Sequence, residues 1–137
     1  MKKFLNLALL YAIAGMIGGV FYREFTKWNH FTEATALGKV HTHLFLLGMV
    51  VFLIVGLYAS HTALAEEKLF RRFFTIYNIG VPLTVLMMVI RGITEVLHTP
   101  LTTGANAAIS GIAGIGHILT GIGIVLLILS MKKIAQD

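Results

Sequence analysis

Two histidines stand near the start of two separate apolar segments, and each follows a glycine by three residues. They occur in Gly38-Lys-Val-His41 and in Gly114-Ile-Gly-His117. Imidazole binds transition metals and heme iron, and a neutral imidazole buried among apolar groups needs a partner. If the two segments form facing helices, His41 and His117 can bind one centre between them. The pattern therefore predicts a metal ion or a heme held between two helices.

Glycines beside these histidines favour a flat ligand over a bare ion. Small residues recur with the histidines at helical spacing, at Gly111, Gly114, His117 and Gly121 in one segment and at Gly38, His41 and Gly48 in the other. Missing side chains above and below a histidine leave a slot against the helix backbone that suits a porphyrin, with Phe45 and Phe52 placed to stack on its ring. The alternative is that the glycines only let helices pack closely. We adopt this packing interpretation for Gly15, Gly19, Gly116, Thr120 and Gly123.

His43 requires separate treatment, because two positions along a helix differ by about 200°. His41 and His43 therefore point to opposite sides and cannot both bind one metal without distortion. His43 can replace His41 or His117 as a heme ligand, reach a second site or a neighbouring protomer, or hydrogen-bond to Arg91 or Glu95. It can equally be a structural histidine.

Arg91, Glu95 and His98 follow one another at helical spacing in the third apolar segment. Charged side chains at membrane depth are costly and usually pair. One interpretation is an Arg91–Glu95 ion pair, and the other makes Arg91 the counter-charge for an anionic ligand such as heme propionates. Glu95 and His98 are supporting residues that could also complete a metal site.

Composition places the chain in a membrane. It has 137 residues, of which 57% are hydrophobic and only 12% charged, whereas soluble domains carry about 25% charged residues. Four apolar stretches reach the roughly 20 residues that a spanning helix needs, at about 4–22, 37–60, 73–97 and 109–131. We expect a single all-α domain, an integral membrane four-helix bundle. No cysteine is present, so a thiolate site and a c-type heme attachment are excluded.

The basic residues predict the orientation. Seven Lys and Arg residues lie at the N-terminus, in the 66–72 loop and at the C-terminus, against three (Arg23, Lys27 and Lys39) on the other side. By the positive-inside rule, both termini are expected in the cytoplasm. His41 and His117 then share one layer near the outer surface, roughly 6–12 Å deep.

The segment His41-Thr-His43-Leu-Phe-Leu-Leu-Gly48-Met49 resembles the His-x-His helix of the heme-copper oxidase and nitric oxide reductase superfamily. In that superfamily the two histidines bind different hemes on opposite sides of the helix. The superfamily's copper motif, His-Pro-Glu-Val-Tyr, is absent, so copper-dependent oxygen reduction is not expected. The large oxidase subunit resembles three four-helix arcs around a pseudo-threefold axis, which implies that this chain forms a homo-oligomer. A homotrimer would reproduce the twelve helices.

Over its whole length the chain is similar to a family of small four-helix bacterial membrane proteins with no assigned function. The shared features are Tyr22-Arg-Glu-Phe-Thr-Lys27, His41-Thr-His43, Arg91-Gly92 and Ser110-Gly-Ile-Ala-Gly-Ile-Gly-His117. The resemblance implies a multi-pass protein of the bacterial plasma membrane.

Together these features predict a heme b protein of the membrane with two histidine ligands, for electron transfer or for redox or gas sensing. The ligands are expected to be His41 and His117, or His43 in place of one of them, and a redox partner or quinol would accompany electron transfer. One alternative is binding or transport of copper or zinc, and another is a pathway for protons or small ions. No catalytic nucleophile constellation, phosphate loop or nucleic-acid module is recognisable, so whether the protein is an enzyme stays open.

Overall fold

The structure, a computed structural model, describes residues 1–136 and consists of four long helices without a strand in that range. The helices are α1 (Lys2–Trp28), α2 (Leu37–His61), α3 (Lys68–Val96) and α4 (Thr103–Ile134), with a 3-10 turn at Leu64–Glu66 before α3. All four are long and apolar enough to cross a membrane. This agrees with the all-α bundle of spanning helices expected from the sequence.

Three of the helices extend beyond the predicted apolar stretches. α1 continues past the predicted end near residue 22 as far as Trp28. α3 starts at Lys68 instead of near 73, and α4 starts at Thr103 instead of near 109. Hydropathy marks only the segment that needs hydrocarbon around it. The flanking residues stay helical because a helix satisfies its own backbone groups as it leaves the apolar layer.

Side-chain and backbone caps fix the helix ends. Thr102 accepts a hydrogen bond from the Ala105 amide at 3.1 Å and so begins α4. His30 and His98 end α1 and α3 with positive φ values of 52° and 49°, the left-handed conformation common after a helix. A structural role as helix terminators therefore accounts for both of these histidines.

The helices pack mainly in chain order, α1 against α2, α2 against α3, and α3 along α4. An aromatic cluster joins the first three. The Phe4 ring lies 5.6 Å from that of Phe70, and the Phe52 ring lies 5.7 Å from that of Tyr11 and 6.0 Å from that of Tyr77. We call the end of the molecule with residues 1–3, 62–68 and 132–136 the basic end, and the opposite end, with residues 28–38 and 96–104, the histidine end.

The α3–α4 contact depends on missing side chains. A Cβ atom on Gly116 would lie 2.6 Å from the Thr84 hydroxyl, and one on Gly80 would lie 2.6 Å from the Thr120 amide nitrogen. Gly123 similarly accommodates Tyr77. Small residues let helix backbones approach in membranes, where van der Waals packing drives association. The packing role predicted for Gly116, Thr120 and Gly123 is confirmed.

At the basic end, an ion pair connects the start of α3 to the end of α4. The Lys133 ammonium lies 3.0 Å from a Glu67 carboxylate oxygen. Its hydrogen bond lowers the pKa of the Glu67 carboxyl from the ordinary value. The carboxylate therefore stays ionised at a lower pH than that of an ordinary glutamate. It also accepts a hydrogen bond from the Leu69 amide at the start of α3.

Candidate functional site at the histidine end

His43 on α2 and His117 on α4 face one another. Their ring centroids are 6.4 Å apart and their planes are nearly perpendicular, at 85°. The prediction that imidazoles from these two helices share one layer therefore describes His43 and His117. α4 projects beyond α2, since His117 lies fourteen residues after Thr103 whereas His43 lies six after Leu37.

Each of these two rings is oriented by its own helix. A ring nitrogen, Nδ1, lies 2.9 Å from the Lys39 carbonyl oxygen in His43 and 2.8 Å from the Ala113 carbonyl oxygen in His117. A carbonyl can only accept, so Nδ1 carries the proton and Nε2 is left with a free lone pair. Histidine ligands of metals commonly use this arrangement, in which the second nitrogen donates to a backbone carbonyl.

Both histidines line a cavity of about 500 Å³, which we call the histidine cavity. This volume is within the range of about 300–1,000 Å³ typical of small-molecule sites. Its walls come from the 34–36 loop and from three helices: Ala34, Thr35, Ala36, Lys39, His43, Met88, Glu95 and His117. His117 is exposed on the surface of the single chain, so the cavity is open on the α4 side.

Arg91 lies in an adjoining cavity of about 150 Å³, which shares Ala36 and Met88 with the histidine cavity. Its guanidinium donates to the Ser110 hydroxyl at 2.7 Å and to the Asn106 side chain. The predicted Arg91–Glu95 ion pair is wrong. In residues 1–136 the guanidinium instead connects α3 to α4, where two polar side chains hold it close to the site.

Glu95 holds the loop that forms one wall of the cavity. Its carboxylate accepts from the Thr35 hydroxyl at 2.9 Å and from the Ala36 amide at 2.8 Å. Both donors precede α2, where a negative charge also complements the helix dipole. Glu95 therefore positions the helix that carries His43. His98 does not join it, because its ring packs against Phe31 with the centroids 5.7 Å apart.

His41 points the other way, as the 200° difference required. It packs against α1, where a Cβ on Gly19 would be 3.7 Å from the His41 side chain. Its Nδ1 atom is buried without a hydrogen-bond partner in the described chain. The expected pairing of His41 with His117 is therefore replaced by a pairing of His43 with His117.

The rows of small residues that accompany the histidines on α2 and α4, which we call the glycine stripes, have different surroundings. On α2 the predicted face of Gly38, His41 and Gly48 exists, but it packs on α1. Tyr22 fills the space beside Gly38, and the Tyr11 ring fills the space beside Gly48. The expectation that Gly48 flanks a ligand is wrong at this position, because an aromatic ring already occupies it.

The two phenylalanines expected to stack on a ligand are also used in packing. Phe45 lies against Gly15 of α1, and Phe52 is fully buried against Tyr11. On α4, in contrast, Gly111, Gly114 and Gly121 have nothing within 4 Å of where a Cβ would lie. The open slot beside a histidine therefore exists on α4 only.

Lys39 and Met88 line the cavity and were missed in the sequence. Lys39 precedes His43 by four residues, and Met88 precedes Glu95 by seven, so each shares a helix face with a residue already under consideration. The glycine stripe does not indicate them, because it marks the packing face toward α1.

A seven-residue π-helical segment, Leu44–Val50, begins directly after His43 inside α2. Such segments are uncommon and often lie at functional sites. They leave backbone carbonyls with weaker partners, and here the Tyr77 hydroxyl of α3 donates to the Leu47 carbonyl at 2.8 Å. This bond fixes α2 against α3 just below the histidine cavity.

Comparison with known proteins gives a family match. The model of a family described as "Protein of unknown function (DUF2871)" matches residues 1–134. No curated protein and no solved structure matches the chain. The local resemblance of His41–Met49 to heme-copper oxidases thus gains no support from these comparisons.

Proposed function

The chain belongs to this family of unknown function, and we propose from its site that it binds one heme b between His43 and His117. In this proposal the protein serves electron transfer or redox or gas sensing. The observation that carries the proposal is the pair of imidazoles on separate helices, 6.4 Å apart, with both Nδ1 atoms bonded to backbone carbonyls.

The spacing of the two rings fits a shared metal centre. Two imidazole nitrogens bound at about 2.0–2.1 Å to one metal put the ring centroids about 6.5 Å apart, since each nitrogen is about 1.2 Å from its centroid. The observed 6.4 Å agrees with this value. The volume of the cavity and the open glycine slot on α4 favour a flat macrocycle over a bare ion.

Charges around the cavity suit the carboxylates of a heme. Lys39 lines the histidine cavity and Arg91 the adjoining one. Charge-assisted hydrogen bonds from such groups to carboxylates are strong where water is scarce. Heme would supply a one-electron couple, whose potential depends on the axial ligands and on burial. The chain would bind the heme, keep both imidazoles in one tautomer and place the apolar Met88 side chain against the ring.

The two alternative functions have less support. A copper or zinc site wants further ligands, and no group of three or more metal-binding side chains occurs within residues 1–136. The Glu95 carboxylate, the nearest addition, is already bonded to Thr35 and Ala36. A proton or ion pathway has no comparable supporting observation.

The remaining expectations belong to the same proposal: location in the bacterial plasma membrane, both termini in the cytoplasm, and a homo-oligomer such as a homotrimer. The exposed face of α4 around His117 supports an oligomer. Three glycines on that face contact nothing in the single chain, and a second copy placed there would close the open side of the heme site.

Absorption spectroscopy tests this proposal. The purified protein, reconstituted with heme during expression, should show the spectrum of a six-coordinate, low-spin heme b. His43→Ala and His117→Ala should each lose that spectrum, and added imidazole should restore it, because a free imidazole can occupy the space left by the side chain.

His41→Ala is the matched control, since it removes a histidine two positions away that faces α1. It should keep the spectrum. Full heme content with a normal spectrum in both His43→Ala and His117→Ala would refute the proposal, and so would a protein that folds but takes up no heme.

A further inference from the structure

A second large cavity lies between α1 and α3, and nothing in the proposed heme site uses it. It encloses about 520 Å³, and we call it the α1–α3 cavity. Its walls are almost entirely apolar: Leu7, Leu10, Tyr11, Ala14, Leu44, Asn78, Pro82, Val85, Leu86 and Val89. Leu10 and Leu86 are more than half exposed, so the opening of the cavity is apolar and faces the surrounding membrane.

Polar groups without partners interrupt this apolar wall. Tyr11 is only 7% exposed, yet its hydroxyl makes no hydrogen bond within residues 1–136, unlike the Tyr77 hydroxyl, which donates to Leu47. Asn78 donates one amide hydrogen to the Phe74 carbonyl at 2.7 Å, which leaves its second hydrogen and its side-chain oxygen free. Both side chains line the cavity and are free to bind a polar ligand there.

Pro82 adds a third polar group at the same place. It lies inside α3, four residues after Asn78, and proline has no amide hydrogen to bond the carbonyl of the residue four positions earlier. The Asn78 carbonyl is thereby released from the helical pattern beside its own side chain. One turn of α3 therefore offers two acceptors and a donor beside a cavity that Tyr11 of α1 also lines.

We propose that the α1–α3 cavity binds the ring of a membrane-soluble quinone or quinol, with its tail in the lipid. Tyr11 and Asn78 can donate to the carbonyl oxygens of a quinone, and the acceptors of Asn78 can receive the hydroxyl hydrogens of a quinol. Tyr11 and Asn78 lie about 14–15 Å along their helices from the basic end. A phospholipid head group does not reach that depth, and an acyl chain has no use for the polar groups.

The cavity is also close to the histidines. Leu44, which lines it, directly follows His43, and Val85 and Val89 flank Met88 of the histidine cavity on α3. Any role of the quinol as electron donor rests on the proposed heme site, whereas binding of the quinone does not. A binding test in protein without heme therefore separates the two proposals.

Photolabelling in phospholipid nanodiscs tests the site. An azido-benzoquinone with a decyl tail should label residues 7–14 and 78–89, and unlabelled decyl-benzoquinone should compete with it. Tyr11→Phe and Asn78→Leu should each weaken that competition by about tenfold, as expected for the loss of one or two hydrogen bonds in an apolar site. The competition should be the same in protein prepared without heme.

Two further variants guard against misfolding and non-specific binding. Ala14→Phe fills the cavity but keeps both polar residues, and it should abolish the competition. Leu9→Phe also introduces a phenylalanine ring on α1, but on the exposed face, and it should have no effect on the competition. Labelling spread over all lipid-facing helices, equal competition by oleate, or unchanged binding in both Asn78→Leu and Ala14→Phe would overturn the proposal.

Discussion

At the scale of single residues, the choice between His41 and His43 depends on what each ring meets. His41 lies against the small Gly19 on α1, while His43 lies across the cavity from His117. Both histidines have the same chemistry, and only the face of α2 that α1 covers distinguishes them. Sequence spacing correctly placed them on opposite sides, but the glycine stripe marks the side that packs on α1.

Arg91 provides a test at this scale, because its guanidinium is held beside the cavity by Asn106 and Ser110. Arg91→Leu should lower heme retention by about tenfold, the effect of losing about 1.4 kcal/mol of charge-assisted bonding to a propionate. Arg91→Lys should retain most of it. The measurement is heme loss to an apo-globin acceptor, followed by absorption.

Ser110→Ala is the control for that experiment. It removes one bond that positions the guanidinium but leaves the charge in place, so its effect should be smaller than that of Arg91→Leu. Equal retention in Arg91→Leu and the unaltered protein would show that Arg91 only joins α3 to α4.

At the scale of elements, glycines on α4 separate into two sets with opposite roles. Gly116 and Gly123 lie against α3, whereas Gly111, Gly114 and Gly121 face open space. A helix that carries glycines on two faces can pack against a neighbour on one and leave a shallow slot on the other. Hydropathy cannot separate these faces, because apolar residues meet lipid and protein equally well.

A pair of valine substitutions on α4 tests this division. Gly116→Val should destabilise the protein by about 1–3 kcal/mol, because the new side chain overlaps Thr84 in a tightly packed contact. Gly114→Val should not disturb packing within the single chain, where nothing lies within 4 Å, but should reduce heme binding by filling the slot. Thermal unfolding in detergent and the heme spectrum measure the two effects.

Loss of stability in Gly114→Val would show that this face is already covered, for example by a second copy. Unchanged stability in Gly116→Val would contradict the close α3–α4 packing. The two substitutions lie within one turn of each other and add the same side chain, so differences in helix propensity cannot explain a difference between them.

At the scale of the whole molecule, charge separates the two ends. Lys2, Lys3, Lys68, Arg71, Arg72, Lys132 and Lys133 cluster at the basic end. The other four basic residues, Arg23, Lys27, Lys39 and Arg91, lie toward the histidine end, and Lys39 and Arg91 line the cavities there. The asymmetry predicts that the basic end faces the cytoplasm and that the heme site lies near the outer surface.

The absence of cysteine from the chain makes this orientation simple to measure. In intact cells, a membrane-impermeant maleimide should label Thr99→Cys and should label Gln136→Cys only after permeabilisation. Thr99 follows α3 at the histidine end, and Gln136 follows α4 at the basic end. The reverse pattern would place the heme site on the cytoplasmic side.

The sequence by itself determined the number of helices, that all four are long and apolar enough to span a membrane, and that histidines of α2 and α4 lie at one level. These follow from one-dimensional quantities, namely the length of the apolar stretches and the spacing of residues along a helix. It also identified Arg91, Glu95 and His117 as residues of the site, since charged and polar groups are rare in such segments and stand out.

Only the tertiary structure decided which histidine faces His117, that Glu95 holds the 34–36 loop, and that Tyr11 and Asn78 share a cavity. These depend on the rotation of each helix about its axis. In a membrane protein that rotation is set by close contacts such as Gly48 on Tyr11 and Gly116 on Thr84, because the lipid itself prefers no apolar face over another.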